Sequence, residues 1–172
     1  MQRYLAYGSN LHPLRLAERV PSSRLLGTTR LERYSVAFVK RSMDGSAKCT
    51  LQFTDSPADH AHCAVYELDE SERHLLDQAE GLGSGYDEAT LRVEVGGGSV
   101  TAFTYIADAS HLAPELLPYD WYRTLVIEGA RFHGFPEACI TRLVATRSLP
   151  DPDRMRRFRH EELLVRIRDY GP

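Results

Sequence analysis

The sequence has few cysteines, no long apolar run and no strong excess of charge. Its three cysteines, Cys49, Cys63 and Cys139, are odd in number and form no Cys-x-x-Cys pair, which argues against a disulfide framework. No apolar run reaches the roughly 18 residues that a membrane-spanning helix needs. A basic segment followed by an apolar stretch, typical of a signal peptide, is missing from the first residues. We therefore expect a cytoplasmic protein with reduced, mostly buried thiols.

The charge balance is nearly even, with 21 Lys and Arg against 24 Asp and Glu, and the net charge of −3 argues against a broad nucleic-acid face. We expect neither a nucleic-acid nor a membrane partner. The length predicts one domain over residues 1–172, with 150–172 as a C-terminal helical or extended arm. The arm carries a cluster of four arginines: Arg154, Arg156, Arg157 and Arg159. Such a cluster fits an acidic partner or, more commonly, a solvated helix face paired with Glu161 and Glu162.

Hydrophobic periodicity and turn residues predict an α+β unit without repeats. Alternating apolar residues predict strands at 2–6, 31–39, 49–53, 63–67, 90–95 and 100–106. Caps and apolar faces predict helices at 13–20, 69–80, 120–129 and 136–147. Asp69 and Glu72 have the spacing of a capping box at the start of the second helix. Gly81 is the predicted end of the second helix, and three consecutive glycines at 96–98 predict a hairpin.

The loop after the first strand combines residues that can bind an anion. Gly8 tolerates dihedral angles closed to other residues, and Ser9 and Asn10 favour turns. A helix follows within a few residues, so backbone N–H groups can face a carboxylate or an oxyanion. The alternative is an ordinary strand-to-helix turn in which Asn10 caps the helix.

Glu80 lies in an unfavourable electrostatic position. It ends a predicted helix, where the helix dipole disfavours negative charge, and Asp77 lies three residues earlier on the same side. Leu76 adds an apolar neighbour. All three effects favour a protonated carboxyl group, as in a general acid/base. The alternative is a solvent-facing glutamate at a frayed helix end.

The ordered set of these motifs resembles the γ-glutamylcyclotransferase superfamily. It consists of Tyr7-Gly8-Ser9-Asn10, then Glu80-Gly81, then Tyr122 ahead of Gly129-Ala130 and Gly134-Phe135-Pro136. Asn10 in the loop makes the likeness closer to the γ-glutamyl-amino-acid branch. The resemblance implies a small, mostly antiparallel β-barrel with surrounding helices. The six predicted strands, with few helices between them, predict that the sheet is closed or nearly closed around a pocket, with residues 7–10 at its mouth.

The resemblance also implies a site and a reaction. Glu80 would be the catalytic acid/base, and the glutamyl group would be bound by Tyr7, Gly8, Ser9, Asn10, Leu11, Tyr86 and Tyr122. The expected enzyme is an aminoacyltransferase that cyclises a γ-glutamyl group to 5-oxoproline and releases an amine or amino acid. It would need no metal and no cofactor. A non-catalytic small-molecule-binding or interaction module on the same fold is the alternative, and a homodimer is left open.

Other catalytic patterns are weaker. His60-x-His62 places two imidazoles on one face of a strand, but a third metal ligand is missing nearby. Gly81-Leu82-Gly83-Ser84-Gly85 has its serine one position too late for the nucleophile elbow of a serine hydrolase. Cysteine–histidine catalysis has no local support in the sequence.

Overall fold

A computed structural model describes residues 1–170, and residues 171 and 172, the end of the predicted arm, lie outside the described part. The strands are β1 (Gln2–Ala6), β2 (Arg24–Glu32), β3 (Tyr34–Arg41), β4 (Ala47–Phe53), β5 (His60–Leu68), β6 (Tyr86–Val95) and β7 (Gly98–Ala107). The helices are α1 (Pro13–Ala17), α2 (Arg73–Glu80), α3 (Asp120–Phe132), α4 (Glu137–Ala145) and α5 (Arg154–Asp169). No helix within residues 1–170 combines the length and the apolar character that crossing a bilayer requires.

Strand β1 is the centre of the main sheet, whose strand order is β2-β5-β1-β7-β6. It pairs antiparallel with β5 and parallel with β7. The hydroxyl of Thr104 on β7 also donates to the carbonyl oxygen of Leu5 at 2.8 Å. Leu5 and Ala6 are fully buried. Because neighbours hold β1 on both edges, the loop that follows it leaves the sheet from a fixed position.

The main sheet curls into a half-barrel and does not close, so the predicted closed or nearly closed barrel is wrong. The α+β class and the mostly antiparallel pairing are confirmed. A closed barrel needs every strand edge to be paired. Strands β3 and β4 pair only with each other, in a separate two-stranded sheet, and so do not close the main sheet. The edge strands β2 and β6 approach at Gly27, where an added Cβ would lie 3.0 Å from Cγ2 of Val95. Within residues 1–170 no ladder joins these two edges.

The single strand predicted over 31–39 is in fact parts of two strands, β2 and β3, which turn at Arg33. Arg33 has a φ of 65°, in the left-handed region, and its N–H donates to the carbonyl oxygen of Asp59 at 2.8 Å. A non-glycine residue seldom adopts this conformation. The sequence around Arg33 therefore gives no sign of a turn, and the alternation of apolar residues continues from the end of β2 into β3.

Helix α2 ends as predicted but begins later. The predicted capping box does not close, because the Glu72 carboxylate accepts from the backbone N–H of Ser22 at 2.9 Å. Gly81 ends the helix with a φ of 70°, a left-handed conformation that glycine adopts readily. The side chain of Glu80 therefore leaves the last turn of α2, next to a sharp change of chain direction.

Helix α5, within the predicted arm, is anchored to α3 through Trp121. The ring of His160 stacks on the Trp121 indole with ring centroids 3.6 Å apart. The indole Nε1 donates to Asp151 at 2.8 Å, and Arg156 donates two hydrogen bonds of 2.6 Å to the same carboxylate. These donors, Arg156 first, hold the pKa of Asp151 well below its usual value. One arginine of the arm is thus engaged within the chain.

The environment of His160 predicts a loss of stability in acid. Burial, followed by the nearby cations Arg15 and Lys48, lowers the pKa of His160 to about 4, whereas a free histidine titrates near 6.5. Between those values the unfolded chain binds the extra proton, so the free energy of unfolding falls as the pH drops through this window. We expect the protonation of His160 to lower the free energy of unfolding by about 1–3 kcal/mol between pH 6.5 and pH 4. Denaturant unfolding at several pH values in this range measures the loss.

The variant His160→Phe keeps an aromatic ring against Trp121 and removes the titrating group. We expect its stability to fall less steeply between pH 6.5 and 4 than that of the wild type. An identical pH dependence in both proteins would show that His160 is not the responsible group.

Candidate active site

The loop at residues 7–11 packs closely against α3 at Gly129. A Cβ added at Gly129 would lie 2.5 Å from the Cβ of Leu11 and 3.1 Å from the backbone nitrogen of His12. The carbonyl oxygen of Leu11 accepts from the Tyr66 hydroxyl at 2.5 Å, and Nε2 of His133 lies 2.6 Å from it. The C-terminal end of the loop is therefore held by contacts distant in sequence.

His12, and not Asn10, caps helix α1, so the alternative in which Asn10 is a helix cap is wrong. Nδ1 of His12 accepts from the backbone N–H of Leu14 at 3.2 Å. The Asn10 side chain turns the other way: its Nδ2 donates to Glu80 Oε1 at 2.9 Å and to the Tyr4 hydroxyl at 3.1 Å. Asn10 thus joins the loop directly to the candidate acid/base.

The same loop presents successive backbone donors. Among the hydrogen bonds found within residues 1–170, none uses the backbone N–H of Gly8, Ser9 or Asn10. The loop passes close to β4 and α3, since a Cβ added at Gly8 would lie 3.1 Å from Cβ of Cys49 and 3.4 Å from the hydroxyl of Tyr122. Adjacent backbone donors of this kind can bind a carboxylate or stabilise an oxyanion.

Glu80 is held by two partners from outside its own helix. Its side chain is 16% exposed, and Oε1 accepts from Asn10 and from the Arg19 guanidinium. Arg19 also donates to Oδ1 of Asn10 at 2.9 Å. Asp77 is engaged elsewhere, because Arg73 donates to it at 2.8 Å. The contact between Glu80 and Arg19 was not predicted from the sequence, because the two residues are far apart in the chain and no local pattern links them.

Five tyrosines line the pocket around Glu80: Tyr4, Tyr7, Tyr86, Tyr105 and Tyr122. Burial raises the pKa of every one of them, so all five phenols stay protonated near neutral pH. Burial also raises the pKa of the Cys49 thiol to about 12. A neutral thiol is a poor nucleophile. Among the described lining residues, Glu80 is therefore the group best suited to accept a proton.

Tyr86 and Tyr122 bind the backbone of Cys49 from two sides. The Tyr86 hydroxyl donates to the carbonyl oxygen of Cys49 at 2.5 Å. The Tyr122 hydroxyl accepts from the Cys49 N–H at 3.0 Å. Because Tyr122 uses its oxygen as an acceptor, its own O–H can still donate to a ligand in the pocket.

The structure brings all but one of the expected site residues to this pocket. The members are Tyr7, Gly8, Ser9, Asn10, Glu80, Tyr86 and Tyr122. Leu11 instead lines a neighbouring groove.

Sequence reasoning missed four residues of the site: Tyr4, Arg19, Cys49 and Tyr105. The two tyrosines and the cysteine lie on strands, where such residues usually belong to the core. Arg19 follows α1 with no distinguishing pattern around it. These four are recognisable only from their contacts.

The two histidines considered as metal ligands, His60 and His62, lie on β5 with ring centroids 5.1 Å apart. Both line the groove that contains Leu11, away from Glu80. Within residues 1–170 no group of three or more His, Cys, Asp or Glu side chains gathers as a metal site.

Comparison with known proteins adds three findings. A family model described as the AIG2-like family matches residues 60–143. The human and mouse proteins named γ-glutamylcyclotransferase are each 28% identical over 142 residues, covering 77% and 78% of this chain and 72% of each relative. A solved structure of a γ-glutamyl cyclotransferase superposes with a TM-score of 0.82 at 23% identity, covering 96% of this chain and 98% of that one. The structural match shows a shared fold, and the resemblance predicted from the motifs is confirmed.

Proposed function

We propose that this chain, which resembles the γ-glutamylcyclotransferase superfamily, cyclises a γ-glutamyl compound to 5-oxoproline and releases the attached amine or amino acid. The observation that carries the proposal is the position of Glu80. Its carboxylate is held by Asn10 of the donor loop, in a pocket whose other titratable lining groups are buried neutral phenols and a thiol. Asn10 and Arg19 act as positioning residues for that carboxylate.

The reaction needs one proton carrier and one oxyanion site. Glu80 takes a proton from the α-ammonium of the substrate, and the freed nitrogen attacks the γ-carbonyl carbon to form the ring C–N bond. Negative charge moves to the carbonyl oxygen, where the backbone N–H groups of the loop stabilise it. As the original amide C–N bond breaks, Glu80 returns its proton to the leaving nitrogen, and the ring nitrogen gives up its second proton to the departing amine, so that neutral lactam and an ammonium ion result. All atoms come from one substrate molecule, and no other reactant is consumed.

Holding the substrate in its ring-closing conformation supplies much of the acceleration. Attack within one molecule gains up to roughly 7–11 kcal/mol when the geometry is held. In the proposed complex the buried tyrosines surround the glutamyl group, and three of them are themselves held by hydrogen bonds to the backbone. The pocket therefore suits a reaction that depends on conformation more than on a reactive side chain.

The direct test is to incubate the protein with a panel of γ-glutamyl amino acids and γ-glutamyl amines and to measure 5-oxoproline. We expect release of 5-oxoproline and of free amine in equal amounts. A protein that binds these compounds but releases no 5-oxoproline would be the binding module considered as the alternative. Hydrolysis to free glutamate would refute the proposed reaction.

Tyr122→Phe tests the binding role of this phenol. We expect KM to rise about tenfold with a smaller fall in kcat, because the hydroxyl donates equally to ground state and transition state. The change also leaves the buried N–H of Cys49 without its acceptor, which costs about 1–3 kcal/mol of stability. Kinetics should therefore be measured where unfolding curves show the variant fully folded. Tyr34→Phe, outside the pocket, is the control, and a large fall in kcat at unchanged KM would contradict the role.

A further inference from the structure

A half-open groove of about 180 Å³ lies beside the catalytic pocket. It is built between strands β3 and β5 and helices α3 and α4. Its walls are largely apolar and include Val36, Phe38, Val126, Ala130, Phe135 and Leu143. An apolar cavity of about 150 Å³ is large enough to hold a benzene ring. The groove therefore has the size and the character to take an aromatic side chain.

Helix α3 runs from the catalytic pocket into the groove. Tyr122 lines the pocket, while Val126 and Ala130 line the groove. These residues follow at intervals of four and so share one face of the helix. From Tyr122 to Ala130 the helix rises about 12 Å. The same helix face thus forms a floor common to both cavities.

The loop at residues 7–11 and the β3–β4 hairpin also contribute residues to both cavities. Tyr7 lines both cavities, and Leu11, at the other end of the loop, lines the groove. Phe38 of the groove is the register partner of Cys49 in the pocket. The Phe38 ring also packs edge-on against Tyr122, with centroids 6.2 Å apart. The groove therefore adjoins the catalytic pocket along three separate elements, with Tyr7 at their common border.

We propose that the groove receives the side chain of the leaving amine, so that the enzyme selects γ-glutamyl compounds whose amine carries an aromatic group. The proposal rests on the proposed function. The glutamyl part occupies the tyrosine-lined pocket, and the amine, which is attached through the γ-carbonyl, extends past Tyr7 along the face of α3. An apolar pocket discriminates between side chains that differ in size by about 10- to 200-fold.

The test compares γ-glutamyl-phenylalanine with γ-glutamyl-alanine. We expect the wild type to favour the phenylalanine compound at least tenfold in kcat/KM. Cys139→Trp fills the groove from α4 and should lower that preference at least tenfold, and Val36→Trp fills it from the opposite wall if the first variant does not fold. Val144→Trp on the exposed side of α4 is the matched control and should keep the wild-type preference.

Equal kcat/KM values for the two substrates, or an unchanged preference in the filled variants, would overturn the proposal. The two proposals fail in different ways. Absence of 5-oxoproline from every substrate would reject the reaction, and calorimetry of the same two compounds would still report on the groove. Tighter binding of γ-glutamyl-phenylalanine that Cys139→Trp weakens supports the groove, and equal binding of both compounds rejects it.

Discussion

Glu80→Gln is expected to lower kcat by about 10²- to 10⁴-fold, the usual contribution of general acid/base catalysis. The amide keeps the size of the side chain and a carbonyl oxygen that can accept from Asn10, but it cannot carry the proton from the α-ammonium to the leaving nitrogen. Substrate affinity should change little, because Tyr122 and the other tyrosines that line the pocket are unaffected. The measurements are steady-state release of 5-oxoproline and calorimetric binding of a γ-glutamyl compound.

The stability of Glu80→Gln shows which effect of the Glu80 charge is larger, its repulsion at the helix end or its pairing with Arg19. Removing negative charge from a helix C-terminus by itself brings a slight gain in stability. Glu80 also pairs with Arg19, whose side chain is 19% exposed, so we expect a net loss of about 1 kcal/mol instead. Glu70→Gln, on an exposed turn before α2, is the control for both measurements. A folded Glu80→Gln protein with near-normal turnover would remove the main support for the proposed reaction.

Gly129→Ala is expected to lower kcat/KM by about 100-fold, although Gly129 lines neither cavity. The new Cβ would lie 2.5 Å from Cβ of Leu11, so the donor loop must move, and displacements of about 1 Å at an active site can cost this much. Overpacking should also lower the free energy of unfolding by about 1–3 kcal/mol. Kinetics and denaturant unfolding together check both effects.

The sign of the stability change is informative for Gly129→Ala. In an exposed helix the same change stabilises by about 1 kcal/mol, so a gain here would show that the loop does not press on α3. Gly98→Ala is the matched control, since a Cβ at Gly98 would meet nothing within 4 Å. If Gly129→Ala retains full activity, the close approach of loop and helix does not position the site.

Local patterns predicted much of the secondary structure because they report on the chain's own geometry. The alternation around Cys49 and Cys63 and the glycine stop after Glu80 correspond to β4, β5 and the end of α2. The left-handed turn at Arg33 was not predictable, because arginine carries no preference for that conformation. The half-barrel was not predictable either, since it depends on which strands pair and not on where strands form.

For the candidate site, the sequence alone predicted the donor loop, Glu80, Tyr86 and Tyr122, since their residue types and order carry the resemblance to the superfamily. Only the tertiary structure decided that Arg19 pairs with Glu80 across 61 positions. It also decided that the loop rests on Gly129 and that a groove lies beside the pocket, bordered by Tyr7. The physical reason is that caps, turns and periodicity act between near neighbours, whereas charge pairing and close packing depend on where distant segments meet once the core has formed.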